Sequence, residues 1–498
     1  MTKRREPARK IRIGSRRSDL ARLQSYQVGA ELLRHHPDLE IEYQFKESLG
    51  DQNQHDPLWK MPARGVFTED FVDDLRSGRT DIVVHSWKDL PTEPRMGLAL
   101  AATLPREDPR DLLLFRPQSI GKSELTLLTS SPRREFATQA SLKKLLPFPV
   151  ASIRTKPVRG NIATRLRKLG DAEGDGLFVA KAALDRLLGA RVPQEDFSRS
   201  RADLLHHLAG LRFMVLPLSL FPTAPAQGAL AIETAASRTD LRELLGPLHD
   251  PVTFDCVLAE RKRFSAYGGG CHQRIGITVL PHERLGRVEF FHGHPDGREP
   301  FREVRVHPEP PRPKAPLWPG TMAPVFERET LPGVKNPGGG LFVTRADALP
   351  EWWPAIPGQP IWAAGVKTWE KLARRGIWVN GSSDGLGETI PELNGLQPEI
   401  PWTKLTHEDS ANSRRFDCLA TYRLVPRGES TPPEAASYFW VSESQFRWAL
   451  AKRPEIRQAR HAAGPGYTAD AIEKELGRSI DVYYNYAHWR TGNAADET

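Results

Sequence analysis

The sequence predicts an α/β protein of several domains, with helices packed on parallel sheets. Apolar runs of strand length alternate with segments of helical period, and glycine and proline punctuate the boundaries. At 498 residues the chain is also too long for one core, so three or four domains are expected.

The elements follow in order. In "KIRIGSRRSDLARLQSYQVGAELLRHHPDLEIEYQF", Ile11 and Ile13 mark a strand. Leu20, Leu23, Gln24, Gln27 and Val28 keep helical spacing, and Ile41, Tyr43 and Phe45 alternate as a second strand. "GVFTEDFVDDLRSGRTDIVVHSW" is helix then strand, with Gly78 as the helix stop. A second unit begins after "LPREDPRD". "LTLLTSSPRREFATQASLKKL" reads as strand, cap and helix, with Thr129 or Ser130 capping and Pro132 in the first turn. "VRGNIATRLRKL" opens a helix capped by Asn161, and "DGLFVAKAALDRLLG" is strand then helix. Residues 196–212 look polar and irregular, and "LPLSLFPTAPAQGALAIE" is a return strand behind a Pro/Gly loop. "AERKRFSAYGGGCHQRIGITVL" is helix, glycine loop and strand.

Prolines and glycines crowd residues 305–340, which predicts a linker. Beyond it the chain repeats weakly: "LFVTRADAL…PIWAAGVKTWEKLARRGIWV" aligns with "YFWVSESQF…ARHAAGPGYTADAIEKELGRSIDVYY". Each copy offers a strand, an Ala-Ala-Gly turn, a threonine (Thr368, Thr468), a helix and a glycine stop, the pattern of two similar α/β lobes.

Composition narrows the function. No apolar run is long enough to cross a bilayer, and the basic "MTKRREPARK" lacks the apolar segment of a secretory signal. Three cysteines do not make a disulfide framework, so a cytoplasmic protein without membrane contact is expected. The net charge of +8 is not gathered into one block or helix. Its arginines recur instead in short motifs, which suits discrete anionic groups better than nucleic acid. No histidine grouping has metal-ligand spacing, so no metal is expected.

Four motifs carry candidate chemistry. "DIVVHSWKDLPTE" ends an apolar strand by presenting Ser86, Lys88 and Asp89 together, at the strand end where open α/β sheets bind ligands. "TSSPRRE" sets Arg133 and Arg134 at a helix start, where the backbone already favours anions. Arg16 and Arg17 hold a similar position, as do Arg159 and Arg165 around Asn161, and Arg186 follows a strand–helix junction. Taken singly, such arginines are mostly solvated; together they predict a cleft for several carboxylates. "YGGGCHQRIG" places Cys271 behind three glycines, either as an inert thiol or as an exposed one that carries a group. Cys256 and Cys418 are expected in cores. "GSSDG" at 381–385 fits a hydrolase elbow, but Pro391 breaks the helix that must follow.

"IGSRRSDLARLQ", "GVFTEDFVDDLRSGRTDIVVHSWKDLPTE", "REDPRD", "TSSPRRE", "RGNIATRLRKL", "APAQGALAIE" and "GGGCHQRIG" occur in the order seen in hydroxymethylbilane synthases (porphobilinogen deaminases). The resemblance spans residues 11 to about 300. From about 338, "AAGVKTWEKLARRG", "ATYRLVP" and "AAGPGYTADAIEKELG" resemble a shortened uroporphyrinogen-III synthase.

The resemblance implies two doubly wound, periplasmic-binding-protein-like lobes and a small α+β domain carrying the cofactor cysteine, followed by a two-lobed α/β synthase-like region. The implied boundaries are 10–104 with 213–240, 105–212, 247–304, the linker 305–340, and 341–498. It also implies a covalent dipyrromethane on Cys271 and condensation of four porphobilinogen molecules, with loss of ammonia, into hydroxymethylbilane. Asp89 and Lys88 match catalytic positions, Asp89 steadying the positive charge that develops as ammonia leaves. Arg16, Ser18, Gln24, Ser86, Thr129, Ser130, Ser131, Arg133, Arg134, Arg159, Gly160, Asn161, Arg165 and Arg186 match positions that hold cofactor and substrate. In the synthase-like region Thr368, Tyr422 and Thr468 are the candidates. The partners implied are porphobilinogen and the growing pyrrole chain, with the deaminase part monomeric. The competing reading is an anion-binding module of the periplasmic type without catalysis, which would leave Cys271 unused.

Overall fold

The computed structural model describes residues 9–47, 71–189, 191–270, 273–319, 326–354, 356–393, 395–410, 413, 415–428 and 431–492. The chain first lays down β1 (Lys10–Arg16), β2 (Glu40–Lys46), β3 (Ile82–Ser86) and β4 (Leu98–Ala102). It then builds β5 (Asp111–Phe115), β6 (Glu124–Leu128), β7 (Ser152–Lys156), β8 (Gly176–Ala180) and β9 (Arg212–Val215), and returns as β10 (Leu230–Ala235). The two sheets run β2-β1-β3-β10-β4 and β7-β6-β8-β5-β9.

The alternation of strands and helices predicts parallel sheets, but neither sheet is purely parallel. β10 runs against β3 and β4, and β5 runs against β8 and β9. The chain enters each sheet from the other, so the entering strand arrives reversed. The apolar run of β5, buried at all five positions between β8 and β9, is the pattern of a central strand.

Helices α1 (Asp19–His35), α2 (Pro132–Ser141), α3 (Ile162–Gly170) and α4 (Lys181–Leu188) follow strands, and the starts of α1 and α4 line the gap between the sheets. The cap of α2 is neither Thr129 nor Ser130. Ser131 accepts from Arg134 N at 3.4 Å, while Ser130 Oγ bonds the backbone of Val158. Residues read as irregular hold α5 (Ser198–Leu208), a largely polar helix that fully buries only Leu204, with Leu208 packed beside it. Its sequence therefore lacks an apolar stripe.

Helix α6 (Pro251–Ser265) leads into the glycine run 268–270, and β11 (Arg274–His282), β12 (Gly286–His294) and β13 (Phe301–His307) form an antiparallel meander. The proline-rich stretch read as a linker supplies strands Leu317–Trp318 and Phe326–Thr330 to two further sheets. The first joins Ser437–Trp440, Arg460–Ala463 and Asp481–Val482. The second joins Gly340–Val343, Ile361–Ala363, Gly381–Ser382, Trp402–His407 and Asp417–Pro426. Cys256 is buried, but Cys418, on the Asp417–Pro426 strand, is only half-buried.

These C-terminal sheets are fused to the second sheet of the N-terminal part. Val215 N donates to Asn380 O at 2.8 Å, and Trp378 Nε1 and Asn380 Nδ2 both donate to Phe213 O, closing the open side of β9. Trp369, fully buried, packs in one continuous core with Leu145 and Leu146 and donates to Leu145 O at 3.0 Å. Asp384, in the segment resembling a hydrolase elbow, is a buried carboxylate at φ 52°. It accepts from Leu218 N, Ser219 N and Ser219 Oγ at 2.6–3.2 Å. Among the described residues no helix lies between it and the strand Trp402–His407.

Candidate active site

Strand β3 ends at Ser86 and passes into a single 3-10 turn, Trp87–Asp89. Trp87 is fully buried and anchors the turn, while Ser86, Lys88 and Asp89 line a cleft of about 700 Å3, its open mouth included. Arg16, Ser18 and Gln24 line the same cleft from the β1–α1 corner, and Arg186 lines it from α4. Residues from both sheets thus face one space, as expected for a ligand held at strand ends.

Asp89 pairs with Arg16, not with its neighbour Lys88; Nη1 lies 3.8 Å from Oδ2. Lys88 Nζ instead approaches Gln227 Oε1 at 3.4 Å. Lys88 is exposed to the open cleft, yet desolvation by the protein around it, with Arg134 and Arg133 nearby, pulls its ammonium below the usual lysine range, partly opposed by Asp89. Gln24 and Ser86 hydrogen-bond one another at 2.9 Å, and Ser18 begins α1 without a side-chain capping bond.

Arg133 and Arg134 turn inward. Asp111 receives Arg133 Nη1 and Arg134 Nη2 at 2.7 Å each, and Gln227 Nε2 adds a third bond at 2.8 Å. Burial disfavours the Asp111 carboxylate, but the two guanidiniums win and hold its pKa well below the usual range. Lys88, Gln227, Asp111 and the two arginines therefore form one network beneath the cleft. Asp111 and Gln227 are the members that sequence reasoning passed over, although "REDPRD" and "APAQGALAIE" contain them.

Around α3, Gly160 sits at φ 107°, where a Cβ would lie 2.7 Å from Thr164 Cγ2, and Asn161 caps Thr164 N at 2.8 Å. Arg165 Nε bonds Gly160 O at 2.8 Å. Burial, then Arg134 and Arg159, push the Arg165 guanidinium down to about 10, so this corner concentrates positive charge. Thr129 Oγ1 accepts from Ser131 N at 3.2 Å, completing the turn into α2. Cys271 lies outside the described residues. In the C-terminal sheets, Thr368 Oγ1 donates to Thr344 O, and Tyr422 is buried 5.6 Å from the His407 ring. Thr468, in the helix Tyr467–Leu476, belongs to the other sheet's layer.

Two α/β sheets meeting at a guanidinium-lined cleft with one carboxylate define a protein that takes a polyanionic ligand. Residues 11–243 match the family described as "Porphobilinogen deaminase, dipyromethane cofactor binding domain". The porphobilinogen deaminase of Laribacter hongkongensis is 35% identical over 294 residues, 58% of this chain and 86% of that protein. That of Chromobacterium violaceum is 37% identical over 58% of this chain and 85% of its own length. That of Synechococcus elongatus is 37% identical over 55% and 79%.

This chain belongs to the porphobilinogen deaminase family. Its class of activity is that of a transferase acting on porphobilinogen in tetrapyrrole biosynthesis, with dipyrromethane as cofactor. These matches leave the C-terminal sheets uncovered. The residues present fit the cofactor. The buried Nε groups of Arg133, Arg134 and Arg186 meet no protein acceptor, and Arg165 and Arg159 add charge beside Arg134. Such donors suit the acetate and propionate groups that pyrrole rings carry. Among the described residues no helix is long and apolar enough to cross a membrane, and no His/Cys/Asp/Glu group could hold a metal.

Proposed function

We propose that this cleft condenses four porphobilinogen molecules head to tail, with loss of ammonia at each addition, to give hydroxymethylbilane. The observation that carries the reading is the strand-end turn presenting Asp89 and Lys88 between Arg16 and Arg186 in one cleft. Dipyrromethane, held by a thioether to Cys271 and by the arginines around α2 and α3, supplies the first acceptor pyrrole. Asp89 accepts hydrogen bonds from pyrrole N–H groups of the substrate and offsets the cation left as ammonia departs. It also carries protons between substrate atoms as its distance from them allows. Arg16 and Arg186 hold substrate carboxylates, while Ser18, Gln24 and Ser86 orient them. Lys88, near Gln227, places a further positive charge at the cleft floor.

Intact mass tests the tether: the Cys271→Ser chain should lack the mass of a dipyrromethane that the parent carries. A parent without that mass would remove the reading. An anion receptor without catalysis leaves no ammonia in the assay, so an inert but porphobilinogen-binding parent would establish that alternative.

For the C-terminal sheets, uroporphyrinogen-III synthase activity is the second reading. Thr368, by its bond to Thr344 O, and Tyr422, paired with His407, occupy one end of the same sheet. Arg345 and Arg328 oppose the burial that raises the Tyr422 hydroxyl pKa, so cations stand beside that phenol. Product analysis decides: the inverted-ring isomer supports this reading, and spontaneous closure alone assigns these sheets to scaffolding.

A further inference from the structure

Helix α6 does more than lead into the cysteine loop. Phe254 packs against Trp87 at 5.6 Å, and Val257 shares a small core with Trp87 and Leu90. From the same helix, Arg261 reaches the turn that follows Asp89. Its Nη1 donates to Leu90 O at 3.2 Å and approaches Trp87 O at 3.5 Å, and its Nη2 donates to Pro91 O. One planar guanidinium therefore gathers three carbonyls that flank Asp89, a task its fork geometry suits and an ammonium's does not.

A second contact joins the same two elements. Gly268, Gly269 and Gly270 all have positive φ, and a Cβ on Gly269 would lie 2.8 Å from Thr92 Oγ1. The glycine run just ahead of Cys271 thus lies directly against the far end of the Asp89 turn. Among the described residues Arg261 bonds to backbone carbonyls and to no carboxylate. Glu233, Glu93 and Glu260 act on it only through space, and burial brings the guanidinium down to about 10.

We propose that Arg261 is a positioning residue for the reaction. By holding the carbonyls of Trp87, Leu90 and Pro91 it fixes Asp89 relative to the helix that leads into the glycine run. Carboxylate placement is then set by a neighbouring helix and not by the turn alone. The inference rests on the role given above to Asp89, and the test separates the two.

The full-length protein is prepared as parent, Arg261→Ala, Arg261→Lys, Asp89→Ala and the Asp89→Ala/Arg261→Ala double variant. Intact mass reports cofactor loading, thermal melting reports folding, and ammonia release reports kcat and KM. Arg261→Ala should keep full cofactor mass and KM within about twofold, while kcat falls about 10- to 100-fold. Millimolar guanidinium, but not methylammonium, should restore part of kcat. In the double variant, loss of Arg261 should cost nothing beyond Asp89→Ala, because the two act as one unit. If Arg261→Ala does not fold, Arg261→Lys carries the test and should show the same fall in kcat at full cofactor mass. The proposal is overturned if the folded variants keep parental kcat. It is also overturned if the two losses multiply independently, or if activity falls only in step with melting temperature without guanidinium rescue. Normal turnover by Asp89→Ala would instead remove the Asp89 role itself.

Discussion

Arg16 Nη1 stands 3.8 Å from Asp89 Oδ2, an ion pair set just beyond hydrogen-bond range. Direct bonds would occupy the carboxylate that substrate must reach. At this distance the arginine sets a positive charge beside the carboxylate without using up its lone pairs.

Replacing Asp89 therefore separates binding from chemistry. Asp89→Asn should bind porphobilinogen close to parental affinity while ammonia release slows by about 10²- to 10³-fold, the typical effect of deleting one stabilising group. Single-turnover ammonia release and equilibrium binding measure the two. Parental release rates would refute the assignment.

Asp111 is the counter-charge of two buried guanidiniums, so its removal leaves both uncompensated. Asp111→Ala should destabilise the fold by roughly 3–5 kcal/mol and prevent stable cofactor loading. Because its pKa is depressed in the folded state, its contribution is full above about pH 4 and is lost as pH falls toward the folded value. The parent should lose stability on acidification below that pH more steeply than Asp111→Asn does, as read by melting temperature.

Lys88, though exposed to the cleft, has its pKa lowered chiefly by desolvation from the surrounding protein, so it loses its proton at lower pH than an ordinary lysine. If its charge is needed, the alkaline limb of the rate profile should lie below the lysine range. Lys88→Arg should move that limb upward, and an unchanged limb would show that another group sets it.

The C-terminal sheets have their own acid response. Trp440 Nε1 donates to His461 Nδ1 at 3.0 Å, which requires an unprotonated nitrogen. Burial lowers His461 to about 4 and His407 to about 4. Both then contribute stability above about pH 6.5, lost progressively as pH falls toward 4. Tryptophan fluorescence should report this loosening, and His461→Gln should weaken the pH dependence.

At the junction, Asp384→Ala strands two buried backbone donors, Leu218 N and Ser219 N. A loss on the order of 3 kcal/mol is expected, with a smaller loss for Asp384→Asn, which keeps an acceptor and tolerates the left-handed backbone. Melting of the full chain measures both.

What could be read in advance divides along sequence distance. The opening strands and α1 form where the apolar spacing places them, because strand and helix patterns are local facts of the chain. Helix α5 shows no stripe since only Leu204 is fully buried. Choosing among three consecutive hydroxyls for the α2 cap needs coordinates, because all three residue types can cap. The strand-end cluster of Lys88 and Asp89 is visible in the sequence. Its counterparts are not: Gln227 meets Asp111 from 116 residues away, and Arg261 meets Leu90 from 171. Nothing local marks Ser219 as the partner of Asp384, 165 positions along.

The bond from Val215 to Asn380 bears on how the two halves can exist at all. A sheet border with unused amides invites pairing with any passing chain. Here that border is sealed by the molecule's own later segment. Severing the polypeptide in the proline-rich stretch would leave one fragment with raw strand amides and the other with a stranded carboxylate, so neither half can be lifted out with its polar groups satisfied.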